Sequence, residues 1–276
     1  MTNKSKVIFQ GEKGAYSEMA VLKLFPDAVT IPMRSFHEIF KSIINDDDEN
    51  EIAVIPIENS IEGSVNENYD LLLQNDINIV GEIFQRINHC LIVNQKYDKK
   101  ILKVYSHPQA LAQCREYINK RELEPIPTYD TAGAVKIIKE SKITDAAAIA
   151  SKRAGELYNM KIIDEEIEDR KNNFTRFFVI SKKIKTQSTG NDRTSIIFGL
   201  EHNPGSLFRI LNEFAKESIN LTKIESRPTK ETPWEYYFYV DLEGHHTDEK
   251  IKKTLENVGN KAKFFKLLGS YKRGEF

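Results

Sequence analysis

Short apolar runs alternate with helical patterns through the first two-thirds of this 276-residue chain, and that alternation constrains the fold more than any other feature. Val7-Ile8-Phe9, Ile52 to Ile55, Ile77 to Val80, Cys90 to Val93, Val104-Tyr105, Ala146 to Ala150 and Phe174 to Ile180 have the length and make-up of strands. Between them, apolar residues recur at helical spacing: Met19, Leu22 and Phe25; Val65, Tyr69 and Leu72; Leu111, Tyr117 and Ile118; Ala134, Ile137 and Ile138. This pattern predicts an α/β sheet architecture for residues 1–181. The polar, aperiodic stretch 182–192 reads as a linker. Residues 193–276 then run strand (Thr194 to Leu200), helix (Leu207, Ile210, Leu211 and Phe214 on one face), strand (Ile219 to Ser226), strand (Tyr236 to Leu242), polar helix (about 247–257) and strand (Ala262 to Leu268). That βαββαβ order is ferredoxin-like.

In open α/β sheets the carboxyl ends of the strands face a common crevice, so the residues at those junctions are candidate ligand-binding groups. They are Gly11-Glu12-Lys13-Gly14-Ala15-Tyr16-Ser17, then Glu58-Asn59-Ser60 with Gly63-Ser64 opening a helix, then Ser106-His107-Pro108-Gln109, Asp130-Thr131 and Ser151. Ser106 with Gln109, and Ser64 with Glu67, have capping-box spacing. Helix starts gathered in one crevice offer backbone N–H groups and hydroxyls to an anion. A small carboxylate suits them better than a nucleotide, because Gly11 and Gly14 match neither the P-loop nor the dinucleotide fingerprint. Asn173-Phe174-Thr175-Arg176-Phe177-Phe178 sets one hydroxyl and one guanidinium in an apolar run, so Thr175 is either a satisfied core hydroxyl or a proton donor.

Charge narrows the partners. With 40 Lys and Arg against 41 Asp and Glu, there is no electrostatic case for nucleic acid or a membrane surface. The start Met1 to Lys6 has no apolar signal region, and no stretch approaches a membrane span, so a cytoplasmic location is expected. Cys90 and Cys114 read as buried reduced thiols. No metal-ligand spacing is present, His245-His246 lying in a polar turn. The aromatic strand Glu235 to Val240 lacks the basic residues and glycines of an RNA-stacking surface.

The motifs Gly11-x-x-Gly14-Ala15-Tyr16-Ser17, Pro56-Ile57-Glu58-Asn59-Ser60, Ser106 to Leu111 with Gln113-Cys114, Asp130-Thr131-Ala132-Gly133-Ala134, Ala147 to Tyr158, Asn173 to Phe177 and Glu225-Ser226-Arg227-Pro228 occur in one order. In these segments the chain resembles prephenate dehydratase carrying a C-terminal ACT regulatory domain. The resemblance implies a two-lobed, periplasmic-binding-protein-like catalytic domain over 1–181, with lobes of about 6–80 plus 171–181 and about 81–170, and an ACT domain over 193–276. It implies dehydration and decarboxylation of prephenate without a cofactor, and phenylalanine as an effector bound between ACT domains of a homodimer or homotetramer. Thr175 matches the family's essential threonine. Glu58 is then a carboxyl candidate to relay its proton or a structural ion-pair partner. Asn59, Ser60, Ser106, Gln113, Thr131 and the amides near Ala132 and Gly133 would position substrate. Arg176, pointing opposite to Thr175 on a strand, either clamps a carboxylate or braces the lobe. Asn203, Pro204, Gly205, Ser206 and Leu207, with Glu225 and Ser226, would hold the effector, Ser206 standing where the family usually has alanine. Two alternatives accompany this reading. An arogenate dehydratase is suggested by the plant-like segments Asn68 to Leu73, Asn88 to Leu91 and Leu221 to Ile224. A non-catalytic solute-binding or amino-acid-sensing protein would share the cleft but not need Thr175.

Overall fold

The computed structural model describes residues 5–45, 51–97, 100–183, 186–230 and 232–275, so Met1 to Lys4 and positions 184 and 185 of the expected linker lie outside the described residues. The first lobe contains β1 (Lys6–Gln10), α1 (Tyr16–Leu24), β2 (Val29–Met33), α2 (Phe36–Asn45), β3 (Ile52–Asn59), β4 (Gly63–Ser64), α3 (Asn66–Gln74) and β5 (Asn78–Arg86). The second contains β6 (Cys90–Val93), β7 (Lys103–Ser106), α4 (Pro108–Gln113), α5 (Arg115–Lys120), β8 (Glu124–Pro127), α6 (Thr131–Glu140), β9 (Ala146–Ala150), α7 (Lys152–Leu157) and β10 (Lys161–Asp164). The chain then returns as β11 (Phe174–Ser181) to the first sheet, whose order is β2-β1-β3-β11-β5 with β4 on β3. The second sheet has the order β10-β6-β9-β7-β8. The backbone therefore crosses between lobes twice, after β5 and before β11, which is the periplasmic-binding-protein-like plan. The expected lobe boundary at 80/81 is corrected: it would cut β5, which pairs with β11 from Asn78 through Arg86.

Both faces of the first sheet are buried, as a mostly covered α/β sheet requires. Val7, Phe9, Val54, Phe177 and Val179 pack on α1 through Ala20 and Val21. Ile8, Ala53, Ile55, Phe178 and Ile180 face the other way, onto Ile39, Phe40, Ile43 and Leu72 of α2 and α3. The remaining elements are β12 (Asp192–Gly199), α8 (Ser206–Lys216), β13 (Leu221–Pro228), β14 (Tyr236–Glu243), α9 (Glu249–Lys261) and β15 (Phe264–Lys272). Their antiparallel sheet, β13-β14-β12-β15, is ferredoxin-like. Ile196, Phe198 and Val240 bury one of its faces against Ile210, Phe214 and Val258 of the helices. Ile197, Tyr239, Leu268 and Tyr271, on the other face, join the first lobe's own core.

Two expected helix caps are corrected. Ser64 lies in β4 and donates its hydroxyl to Glu225 (2.9 Å), while α3 begins at Asn66. Ser106 is the last residue of β7, fully buried, with Oγ donating to the Ile149 carbonyl at 2.6 Å. Pro108 occupies the first helical position, where its missing N–H costs nothing. The cap therefore falls on His107, whose Nδ1 accepts from the Gln109 amide. Asp130 and Ser151 do cap their helices, accepting from Gly133 (2.8 Å) and Ala154 (3.0 Å).

Candidate active site

A cavity of about 360 Å³ opens between the lobes, where strand ends and helix starts converge. Thr175, Asn59, Gln113 and Thr131 line it, as do Tyr16 and Ser17 from the start of α1, His89 from the crossing segment, and His107 and Asp130 from the second lobe. Among the described residues no lysine or arginine lines it. An anion held here therefore rests on hydroxyls, amides, imidazole and helix starts. The first amides of α1 have no side-chain cap, so that helix end presents unused donors.

One hydrogen-bonded chain fixes the polarity of the cavity wall. Asn59 Oδ1 accepts from the Ile61 and Glu62 backbone amides, both at 3.0 Å, so its Nδ2 must face the other way. From there Nδ2 donates to Asn173 Oδ1 (2.8 Å) and Thr175 Oγ1 (2.9 Å). With its oxygen engaged, Asn173 donates Nδ2 to Gln113 Oε1 (2.9 Å). His89 Nε2 stands 3.0 Å from that same oxygen, and its Nδ1 stands 3.0 Å from the Tyr16 hydroxyl, which donates its own proton to the Asn88 carbonyl at 2.6 Å. Burial pushes the His89 pKa down, against Gln113 and Glu168. Burial likewise holds the Tyr16 phenol well above its usual value. At the far end, Thr175 Oγ1 accepts from Asn59 and donates to no described residue, so its proton is available to the cavity.

Glu58 and Arg176 are corrections. Both face away from the cavity: Glu58 Oε1 pairs with Lys223 Nζ at 2.9 Å, and Arg176 reaches Glu82 (2.6 Å), Asp241 (2.5 Å) and the Tyr271 hydroxyl (3.1 Å). Burial works against the Arg176 charge, but Asp241, Tyr271 and Glu82 outweigh it and push its pKa up. Arg176 braces the lobe against the C-terminal sheet. The cause at Glu58 is a β-bulge. Arg176 is opposite Glu58 and Phe177 opposite Pro56, so Ile57 is the extra residue. The bulge leaves Ile57 and Glu58 on the same side and turns Asn59 into the cleft.

Ser60, Ser106, Ala132 and Gly133 do not line the cavity. Ser60 Oγ ties the crossing segment, donating to the Asn172 carbonyl and accepting from the Phe174 amide. The Ala132 and Gly133 amides are taken by Asp130, whose carboxyl pKa burial raises against those two bonds. Of the lining residues, Tyr16, His107 and Asp130 belong to the junction segments but were given no individual role, and His89 was missed. A signal existed in His107 and Asp130, the polar residues bordering helix starts.

In the C-terminal domain, Asn203, Ser206 and Leu207 line a shallow pocket of about 120 Å³ with Trp234 and Phe238. Pro204 and Gly205 form its turn, Gly205 at φ +78°. Glu225 is a correction: it faces Ser64 of the first lobe, and Ser226, next along β13, is exposed on the opposite face.

The comparisons with known proteins follow this architecture. The family model for prephenate dehydratase matches residues 7–185, and that for the ACT domain matches 194–260. A prephenate dehydratase of Methanocaldococcus jannaschii is 47% identical over 273 residues, 96% of this chain and 97% of that one. The chloroplastic arogenate dehydratase/prephenate dehydratase 2 of Arabidopsis thaliana is 40% identical, over 98% of this chain and 73% of its own. The structure of prephenate dehydratase from Arthrobacter aurescens in complex with L-Phe superimposes with a TM-score of 0.88 at 28% identity, over 97% of this chain and 90% of that one. Agreement in sequence and in fold thus runs through both lobes and into the third sheet, and the chain belongs to the prephenate dehydratase family.

Proposed function

We propose that the protein converts prephenate to phenylpyruvate, with Thr175 as the donor to the leaving hydroxyl and phenylalanine as effector. The observation that carries this reading is the directed hydrogen bonding at Thr175, which leaves its proton pointing to the cleft. In the reaction the ring carboxylate departs as carbon dioxide and its electron pair enters the ring. The carbon–oxygen bond to the ring hydroxyl breaks, and the hydroxide takes up one proton and leaves as water. A hydroxyl that already accepts a bond from Asn59 is a stronger donor to that oxygen. The apolar wall of Ala15, Phe36, Pro56, Ile87 and Phe177, with no lining lysine or arginine among the described residues, disfavours a charged carboxylate relative to neutral carbon dioxide. Gln113, Thr131, His107 Nε2–H and the α1 amides position the substrate, and Asn59, its own groups all engaged, acts through Thr175.

We place the catalytic part at 1–181, the linker at 182–192 and the ACT domain at 193–276. The effector site is the turn Asn203 to Leu207, and a homodimer or homotetramer covers Phe208, Ile224 and Trp234, which are 69%, 48% and 78% exposed. Among the described residues no helix is long and apolar enough to cross a membrane, and the cytoplasm is the location inferred. The test is purified protein given prephenate and arogenate separately, with and without phenylalanine. Phenylpyruvate from prephenate, at a rate that phenylalanine changes, is expected. Turnover of arogenate alone would transfer the assignment to the alternative, and turnover of neither would sink it.

A further inference from the structure

Two ion pairs join the C-terminal domain to the strands that carry the cleft residues, and each lands on the residue next to one. Asn59 pairs in register with Thr175, and Glu58 with Arg176. Asn59 and Thr175 face the cavity; Glu58 and Arg176 face the third sheet, held by Lys223 of β13 at 2.9 Å and Asp241 of β14 at 2.5 Å. Arg176 and Asp241 are buried, and Lys223 is only 11% exposed, with Ser64 Oγ and Glu225 also within reach of its ammonium. The grip on β3 falls at its bulge, where the ladder to β11 is interrupted while β4 pairs with Glu58 and Asn59 from the other edge.

We propose that Lys223 and Asp241 are positioning residues for the reaction: through Glu58 and Arg176 they set where Asn59 and Thr175 stand in the cleft. The proposal rests on the functional reading of Thr175 given above. It makes the third sheet part of the catalytic scaffold, and any ligand that shifts β13 reaches Asn59 from behind without entering the cleft. Other contacts between the same two units land elsewhere and serve as internal controls. Arg227 of β13 pairs with Asp70 of α3 at 3.2 Å, and Lys266 caps the end of α3 by donating to the Leu72, Leu73 and Asn75 carbonyls.

The experiment compares Lys223→Met with Arg227→Met, each removing one interdomain cation from β13. Both are expected to lower the melting temperature. Only Lys223→Met should lower kcat for prephenate, by roughly tenfold or more with KM changed less than about twofold, the pattern of a misplaced reacting group. Lys223→Arg should recover most of that loss. Hydrogen exchange supplies a readout independent of turnover: backbone amides of 58–60 and 174–176 should exchange faster in Lys223→Met and not in Arg227→Met. Unchanged kcat and exchange in folded Lys223→Met would overturn the proposal, as would equal losses in Arg227→Met. A wild-type protein inactive on prephenate would defeat the functional reading instead, with the exchange comparison still deciding whether Lys223 positions these strands.

Discussion

Thr175 is a weak acid by itself, so its effect has to come from placement. Asn59 supplies that placement by donating to Oγ1 at 2.9 Å with an amide whose orientation two backbone N–H groups have already settled. Thr175→Ala should therefore lose roughly a hundredfold to ten-thousandfold in turnover, the range for acid–base assistance, while Thr175→Ser keeps appreciable activity. Near-normal turnover of folded Thr175→Ala would exclude this role. A second expectation concerns His89. In acid the unfolded chain protonates its histidines near their ordinary pKa of 6.5, whereas buried His89, with its pKa lowered, resists. The unfolded state then binds more protons, so stability is full above about pH 6.5 and falls below it by at most ~1.4 kcal/mol per pH unit for one group. His107 and His246 act in the same direction, burial again leading. His89→Gln should flatten part, not all, of the melting-temperature decline between about pH 7 and pH 5; an unaltered slope would count against a neutral His89. Strand alternation set Thr175 and Arg176 on opposite faces, but it left Arg176 between clamping a carboxylate and bracing the lobe, and only the resemblance gave Thr175 a role. Alternation could not place Glu58. From Val54 and Pro56, alternation points Glu58 into the cleft, and only the unpaired Ile57 of the bulge reverses it.

At the scale of elements, the junctions were legible because helix starts advertise themselves in residue type, but which residue caps depends on backbone register. Pro108 shifted the cap from Ser106 to His107, and Ser64 was drawn into a two-residue strand by pairing with Glu58. The loop before α1 shows what a motif glycine does here. Gly14 sits at φ +92°, and a Cβ on it would lie 2.9 Å from Ala154 Cα in the second lobe. The same spot is pinned by Ser151 Oγ donating to the Gly14 carbonyl (2.6 Å) and by Arg153 on Glu18 (3.1 Å). This is a seam where the lobes meet backbone to backbone. Gly14→Ala should cost on the order of 1–3 kcal/mol through strain and overpacking, and by wedging the seam it should raise KM for prephenate. Calorimetry with steady-state kinetics checks both, and an unshifted melting temperature would show that the seam yields freely.

For the molecule as a whole, the sequence divided the chain correctly into α/β and βαββαβ parts but gave no sign of how tightly they join. The reason is that the joining residues look like ordinary strand residues: Ile197, Tyr239, Leu268 and Tyr271 are apolar or aromatic, and a register shift at Leu268 puts it on the same face as Tyr271, yet all four bury against the first lobe, not against their own helices. Beneath them lies the buried ionic group of Arg176, Glu82, Arg193 and Asp241, with Arg193 on both Glu82 oxygens at 2.6 Å. Breaking one partner of such a group leaves a buried charge uncompensated, which costs far more than an exposed pair does. The units also approach without side chains between them. Gly269 of β15, at φ +146°, would put a Cβ 2.2 Å from the Ile79 carbonyl oxygen of β5. An interface with a shared core and a buried ion cluster should not open before its parts unfold. The first lobe and the third sheet are therefore expected to melt in one transition, with tyrosine and Trp234 fluorescence coincident with far-ultraviolet circular dichroism. Gly269→Ala should uncouple them, since the new methyl cannot be accommodated by a side-chain shift when the obstacle is backbone. Two separated transitions in Gly269→Ala, against one in the wild type, is the expected result. Two in the wild type would mean that the third sheet is a tethered unit and not a load shared with the catalytic lobe.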